Sequence, residues 1–253
     1  MRPWTLAIFF LAWPGFAWAG LPETVAQVKP SILAVGTFQR TRSPPAVFRG
    51  TGFAVADGRY VLTCAHVLPD SLDEEKSELL AVFFRFQRQD RLRRAQVVAT
   101  DPAHDLALLK ISGDPLPVLA LGDSNRVREG EEYAFTGYPI GMVLGLYPVT
   151  HLALIASITP IAIPALRADK LDPKLLPRLY KPFSVFQLDA TAYPGNSGSP
   201  LYHPETGEVV GILNKVFVQE SKESLLSKPS GISYAIPIEY ARKLLKKLQP
   251  ASE

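Results

Sequence analysis

Apolar residues in this chain come in short runs, and each run is soon stopped by Gly, Pro or a cluster of polar residues. Runs this short, closely spaced and with few helical stretches between them, are the mark of β-strands in a barrel or sandwich. Ser31 to Phe38, Gly52 to Ala56, Tyr60 to Thr63, Leu79 to Phe86, Ala95 to Thr100 and Leu106 to Ile111 read as successive strands, with a loop at 41–46. Asp57-Gly58 separates the second from the third and can supply the positive φ values of a tight type I′ turn. Residues 112–130 are rich in breakers and mark a boundary, giving an N-terminal half at 20–118 and a C-terminal half at 119–253. Strand-like runs resume at Tyr133 and continue to Ile236. The expected fold class is therefore all-β. Two short helices complete it. One covers Pro22 to Lys29, with Pro at its first position and Pro30 ending it. The other is an amphipathic C-terminal helix in which Ile238, Ala241, Leu244, Leu245 and Leu248 share a face, with cations near its negative end.

Composition narrows the setting. A chain of 253 residues can bury a large core without staples, and its single cysteine, Cys64, cannot form an internal disulfide. The formal net charge of +3 is a mild excess; Arg91 to Arg94 and Lys243 to Lys247 read as solvated faces, so nucleic acid is not an expected partner. The first 19 residues differ from the rest. A positive start, a short apolar core from Leu6 to Trp13, a Pro14-Gly15 break and Ala17-Trp18-Ala19 form the layout of a secretory signal peptide cut after Ala19. This predicts a secreted or periplasmic protein. The stretch from Tyr133 to Leu166 carries no Asp, Glu, Lys or Arg, but Pro139, Pro148, Pro160 and Pro164 interrupt it, so it reads as buried strands rather than a membrane span.

Three segments carry chemistry: Thr63-Cys64-Ala65-His66-Val67, His104-Asp105-Leu106-Ala107-Leu108-Leu109-Lys110 and Gly195-Asn196-Ser197-Gly198-Ser199-Pro200. A serine hydroxyl needs a neighbouring base to become a nucleophile, and the base needs a carboxylate to fix its tautomer. Among the four histidines, His104 is expected to be exposed, His151 to be a hydrogen-bonded barrel residue, and His203 to precede a hairpin turn. His66 alone ends an apolar strand. Asp105 leads directly into a buried run, although a solvated strand start is its rival reading, and Asp101, Asp114 and Asp123 lie nearby. Gly195 and Gly198 permit a tight loop in which the N–H groups of Gly195 and Ser197 converge as an oxyanion hole; the rival reading is a plain turn. Cys64 either packs near the site or is simply a small buried side chain. No zinc-ligand spacing occurs, so neither a metal nor a cofactor is expected.

Taken together, these segments resemble the trypsin-like serine peptidases, and within them the protease domain of the HtrA/Deg family. The opening from Leu21 to Ile32, Gly50-Thr51-Gly52-Phe53, the His66 and Asp105 segments, Ala134 to Pro139 and Gly231 to Pro237 are all similar to that family. The resemblance implies two six-stranded antiparallel β-barrels with a cleft between them, His66 as base, Asp105 as orienting acid, Ser197 as nucleophile, and polypeptides as substrates. The chain stops after the C-terminal helix, so a PDZ domain is not expected. Ser199 stands where a second Gly is commoner, and 167–182 looks like an insertion. Asn196 replaces the aspartate that trypsin-type zymogens pair with a new amino terminus, so such an activation switch is not expected. A substrate pocket is expected near Thr191, Ala192, Asn214, Lys215 and Val216. It holds no evident carboxylate, which favours small or medium apolar residues over Lys or Arg. The alternative from another class is a protease-like binding protein that has lost catalysis. An α/β-hydrolase would require the order Ser, acid, His and more helices, which this chain does not offer.

Overall fold

The computed structural model describes residues 20–139, 145–160, 183–214 and 231–247. The predicted signal peptide, the 167–182 insertion and Val216 lie outside these. Within them the chain opens with helix α1 (Leu21–Val28) and then forms β1 (Ile32–Phe38), β2 (Ala46–Val55), β3 (Tyr60–Cys64), β4 (Leu79–Phe86), β5 (Gln89–Asp101) and β6 (Leu106–Ile111). After an irregular connection come β7 (Glu132–Gly137), β8 (Val149–Pro160), β9 (Ser184–Asp189), β10 (Pro200–Tyr202), β11 (Val209–Asn214), β12 (Ile232–Pro237) and helix α2 (Ile238–Lys246). All strand pairs are antiparallel, and they close into two six-stranded barrels, β1-β2-β3-β6-β5-β4 and β10-β11-β12-β9-β8-β7. The all-β expectation and its two-barrel form both hold.

The apolar runs explain the burial. β3 and β6, side by side with Val61 opposite Leu109 and Thr63 opposite Ala107, contribute Val61, Leu62, Leu106, Leu108 and Leu109, all fully buried. One apolar cluster fills the first barrel and continues through Ala134, Tyr202, Ile212 and Ile236 to Ile238, Ala241 and Leu244 of α2. A second fills the other barrel around Phe135, Ile155, Phe186, Leu188 and Leu213. The helices brace the opposite halves: α1, ahead of the first barrel, bonds through Thr24 Oγ1 to the Glu205 carbonyl at 3.2 Å in the turn between β10 and β11. Conversely, Tyr240 of α2 stacks on His104 of the first barrel with ring centroids 4.0 Å apart.

Two turns depart from expectation. The Asp57-Gly58 connection is not a two-residue type I′ turn; Val55 pairs with Tyr60, leaving four residues between them, and the positive φ values fall at Ala56 (57°) and Gly58 (81°). The glycine is needed for another reason: a Cβ there would overlap the Leu116 carbonyl oxygen, which packs against it. The two-residue turn is instead at Gln87-Arg88, where both φ values are positive (49° and 64°) between the paired Phe86 and Gln89. Without Gly, Asn or Asp it carries no turn signature, and β5 therefore begins six residues earlier than the expected Ala95, drawing in the arginine-rich stretch. Helix α1 also continues through a 3₁₀ turn at Lys29–Ser31, because Pro30 fits a first-turn position that needs no N–H. No helix among the described residues is long and apolar enough to cross a membrane.

The loop after β1 is fastened by Arg42, whose Nη1 donates to Glu78 Oε1 at 2.7 Å and whose Nη2 donates to Thr37 Oγ1 at 3.0 Å. Hydrogen bonds from Thr37, the Asp73 amide and Arg42 hold the Glu78 carboxyl down at about 2, from an ordinary 4.5. A depressed carboxylate stabilises the fold above its unfolded value, and that contribution is lost as pH falls through the folded value. Glu78→Gln is thus expected to lower the melting temperature by a few degrees at neutral pH. It should also flatten the acid limb between about pH 4.5 and 2, as read by circular dichroism melts across that range.

Candidate active site

The candidate base, His66, is placed by the end of a strand. β3 runs to Cys64, and a single 3₁₀ turn over Ala65–Val67 then lifts His66 out of the barrel wall. Its imidazole is about a third exposed, while Asp105 beside it is almost fully buried. Asp105 immediately precedes β6 and adopts the left-handed region at φ 55°, a conformation Asp tolerates better than most residues.

The surroundings of Asp105 are fully specified. Its carbonyl accepts from the Ala65 N–H at 2.9 Å. Its Oδ1 accepts from the His66 N–H at 2.9 Å, and its Oδ2 lies 2.6 Å from His66 Nδ1. Asn214 at the end of β11 donates Nδ2 to the same Oδ2 at 2.7 Å. Burial alone would push this carboxyl up. The hydrogen bonds and charge of His66 and the Asn214 amide outweigh it, so the group stays ionised below the usual carboxylate range.

Ser197 lies on the loop between β9 and β10, 5% exposed. Gly195 (φ 101°) and Gly198 (φ 89°) give the loop its two left-handed corners. The N–H groups of Gly195 and Ser197 donate to no described backbone carbonyl. Two bonds seat the loop beside the His66 segment: Gly198 N–H donates to the Leu213 carbonyl at 2.8 Å, and Cys64 Sγ donates to the same oxygen at 3.2 Å. The three motif segments thus meet at one junction between the barrels. Behind the loop, Ser199 Oγ packs so closely on Gly137 that a Cβ there would overlap it. The Asn196 side-chain amide is buried beside it with no hydrogen-bond partner among the described residues.

Other expectations fare differently. Asn214, assigned from sequence to the substrate pocket, is 2% exposed and sends its amide to Asp105. The neighbouring Lys215 and Val216 lie outside the described residues. Thr191 and Ala192 are half-buried beside the loop, and Ala192 packs against the core of the second barrel. His104 is not simply exposed. Its Nδ1 is 2.7 Å from Asp101 Oδ2, and its ring packs against both Tyr240 and Phe183, which also touch each other. His151 Nε2 is buried with no hydrogen-bond partner among the described residues; its ring stacks on Phe135 at 4.9 Å, and burial lowers its pKa. Cys64 proves to be both buried and near the site: one donor atom each from Cys64, His66 and Asp105 lie within 4.8 Å of one another. Spacing along the chain puts Cys64 close to His66, while Asp105 joins them only through the barrel. Its Sγ and carboxylate atoms are engaged with the Leu213 carbonyl, His66 and Asn214.

Comparison with known proteins agrees with this architecture. Proteins named "Probable periplasmic serine endoprotease DegP-like" match from Halomonas elongata, at 33% identity over 79% of this chain and 35% of the relative. The counterpart from Pseudomonas putida is 35% identical over 80% of this chain and 36% of the relative. The chain therefore spans about a third of the length of these curated relatives. Among solved structures, the HtrA-type protease AlgW with a tripeptide superposes with a TM-score of 0.63 at 23% identity, covering 90% of this chain and 63% of that one. Deg5 superposes at 0.62 and 22% identity, covering 88% and 90%. These two speak to the fold. The trypsin-like peptidase domain family matches residues 50–212, a span that takes in all three motif segments, and the chain belongs to that family.

Proposed function

We propose that this protein is an exported serine endopeptidase that hydrolyses polypeptides through a Ser197–His66–Asp105 triad and an acyl-enzyme. The observation that carries the reading is the His66–Asp105 pair, held at 2.6 Å and buttressed by Asn214, beside the serine loop. With Asp105 ionised, His66 Nδ1 carries its proton toward Oδ2 and Nε2 is left as the base. Ser197 Oγ attacks the scissile carbonyl carbon and gives its proton to Nε2; the carbonyl π pair moves onto oxygen. The Gly195 and Ser197 N–H groups hold that oxyanion. Collapse breaks the C–N bond, and the His66 proton leaves with the amine. Water then repeats the sequence on the ester, releasing the acid and restoring Ser197.

In this reading the N-terminal half at 20–118 supplies base and acid, and the C-terminal half at 119–253 supplies the nucleophile. Residues 1–19 direct export to the periplasm or exterior; the DegP-like relatives are named periplasmic. Thr191 and Ala192 border the pocket for the residue before the cleaved bond.

A fluorophosphonate probe tests this. The native chain is expected to be labelled covalently and Ser197→Ala to be unlabelled at an unchanged melting temperature. A native chain that resists labelling, or an alanine variant that still labels, sinks the proposal. Cleavage mapped on a denatured protein should then fall after small or medium apolar residues; dominance of Lys or Arg would refute the uncharged pocket.

A further inference from the structure

We infer that Thr51 of the first barrel is a positioning residue that sets the geometry of the serine loop in the second. This rests on the peptidase reading above. The glycine pair that makes a sharp serine loop possible also makes it conformationally loose, since each glycine reaches many φ/ψ combinations. A preorganised oxyanion hole needs that looseness removed before substrate arrives. The restraint comes from outside the loop. Thr51 N–H donates to the Ser197 carbonyl at 2.8 Å. Thr51 Oγ1 donates to the Gly195 carbonyl at 2.7 Å, across 144 positions of sequence. One residue thus pins both ends of the three-residue segment, and the Ser197 N–H lies between the two pinned carbonyls. With the Gly195 carbonyl fixed and its φ at 101°, rotation of the adjoining peptide, which carries the Gly195 N–H, is restricted as well.

Thr51 is itself held. It is fully buried, its Oγ1 accepts from the Tyr138 N–H at 3.0 Å, and its carbonyl accepts from Thr63 Oγ1 at 2.6 Å. Thr63 stands three residues before His66 on the strand that delivers the base. Nucleophile loop and base strand are therefore referenced to the same side chain and its backbone. The hydroxyl acts as donor to Gly195 and acceptor from Tyr138 at once, so a methyl in its place leaves the part-buried Gly195 carbonyl and the buried Tyr138 N–H unpaired.

Three forms of the full chain separate this from a merely structural role: native, Thr51→Val and Thr51→Ser. The readouts are the rate of fluorophosphonate labelling, kcat and KM on one peptide substrate, and the melting temperature. Thr51→Val keeps the shape and loses the hydroxyl; labelling rate and kcat are expected to fall about 10- to 100-fold, with KM within about twofold. Thr51→Ser keeps the hydroxyl and is expected to recover most of both. If the valine variant does not fold, Thr51→Ala, assayed below its melting transition, carries the same expectation. A native chain that is not labelled defeats the peptidase reading itself, and with it this one. A native chain that labels while the hydroxyl-free variant labels equally fast defeats only the role of Thr51, as does loss confined to KM or a serine variant as slow as valine.

Discussion

Asp105→Asn is expected to lower kcat by about 10⁴-fold near neutral pH while the protein remains folded. The size follows from the proton inventory around one oxygen. Oδ2 of Asp105 accepts from both His66 and Asn214. An asparagine oxygen kept at that position can still accept from Asn214 and from His66 Nδ1–H, but its NH₂ would then face the His66 backbone N–H now bonded to Oδ1. Flipping the amide relieves that clash and sets the NH₂ against His66 Nδ1 and the Asn214 amide. The ring must then accept at Nδ1 and carry its proton on Nε2, where it can no longer take one from Ser197. Either arrangement also removes the negative charge that stabilises the imidazolium. Steady-state kinetics with a melting curve on the same sample checks this; an Asp105→Asn enzyme within tenfold of native would mean that the carboxylate is not the orienting acid.

Gly198→Ala is expected to abolish folding or to lower the melting temperature by more than about 10 °C, in line with a penalty above 4 kcal/mol. A Cβ on this residue would overlap the Thr51 carbonyl oxygen and lie 2.6 Å from Thr63 Oγ1. Neither neighbour can retreat, because those two atoms are bonded to each other and sit in the paired strands β2 and β3. The φ of 89° adds backbone strain for any residue with a side chain. Calorimetry on the purified variant decides it, and a loss of only a degree or two would show that the loop can move away from β2.

What the sequence disclosed and what it withheld follow one division. Strands β4 and β6 run over the expected residues, since a short apolar run and its flanking polar or turn residues are local signals. The motif segments were legible for the same reason, each being a short string with unusual composition. The Gln87-Arg88 turn was missed because ordinary residues adopt left-handed φ there under the demand of strand pairing, and Asp57-Gly58 was misread because its glycine answers to Leu116 rather than to a tight turn. Asn214 looked like a pocket residue from its neighbours in sequence, yet its partner lies 109 positions away. Thr51 likewise drew notice only as part of a short motif, while its bonds reach across the molecule. These side chains acquire their contacts where one barrel docks against the other, a property no window of sequence contains.

The braces supplied by the two helices bear on how the halves can move. His66 and Asp105 ride on one barrel and Ser197 on the other, so any sliding along their seam would pull the proposed triad apart. Thr24 grips the far barrel, and Tyr240 clasps His104, next door to Asp105. Shear is thereby opposed at two separate points, and the halves should melt as one cooperative body instead of in two stages.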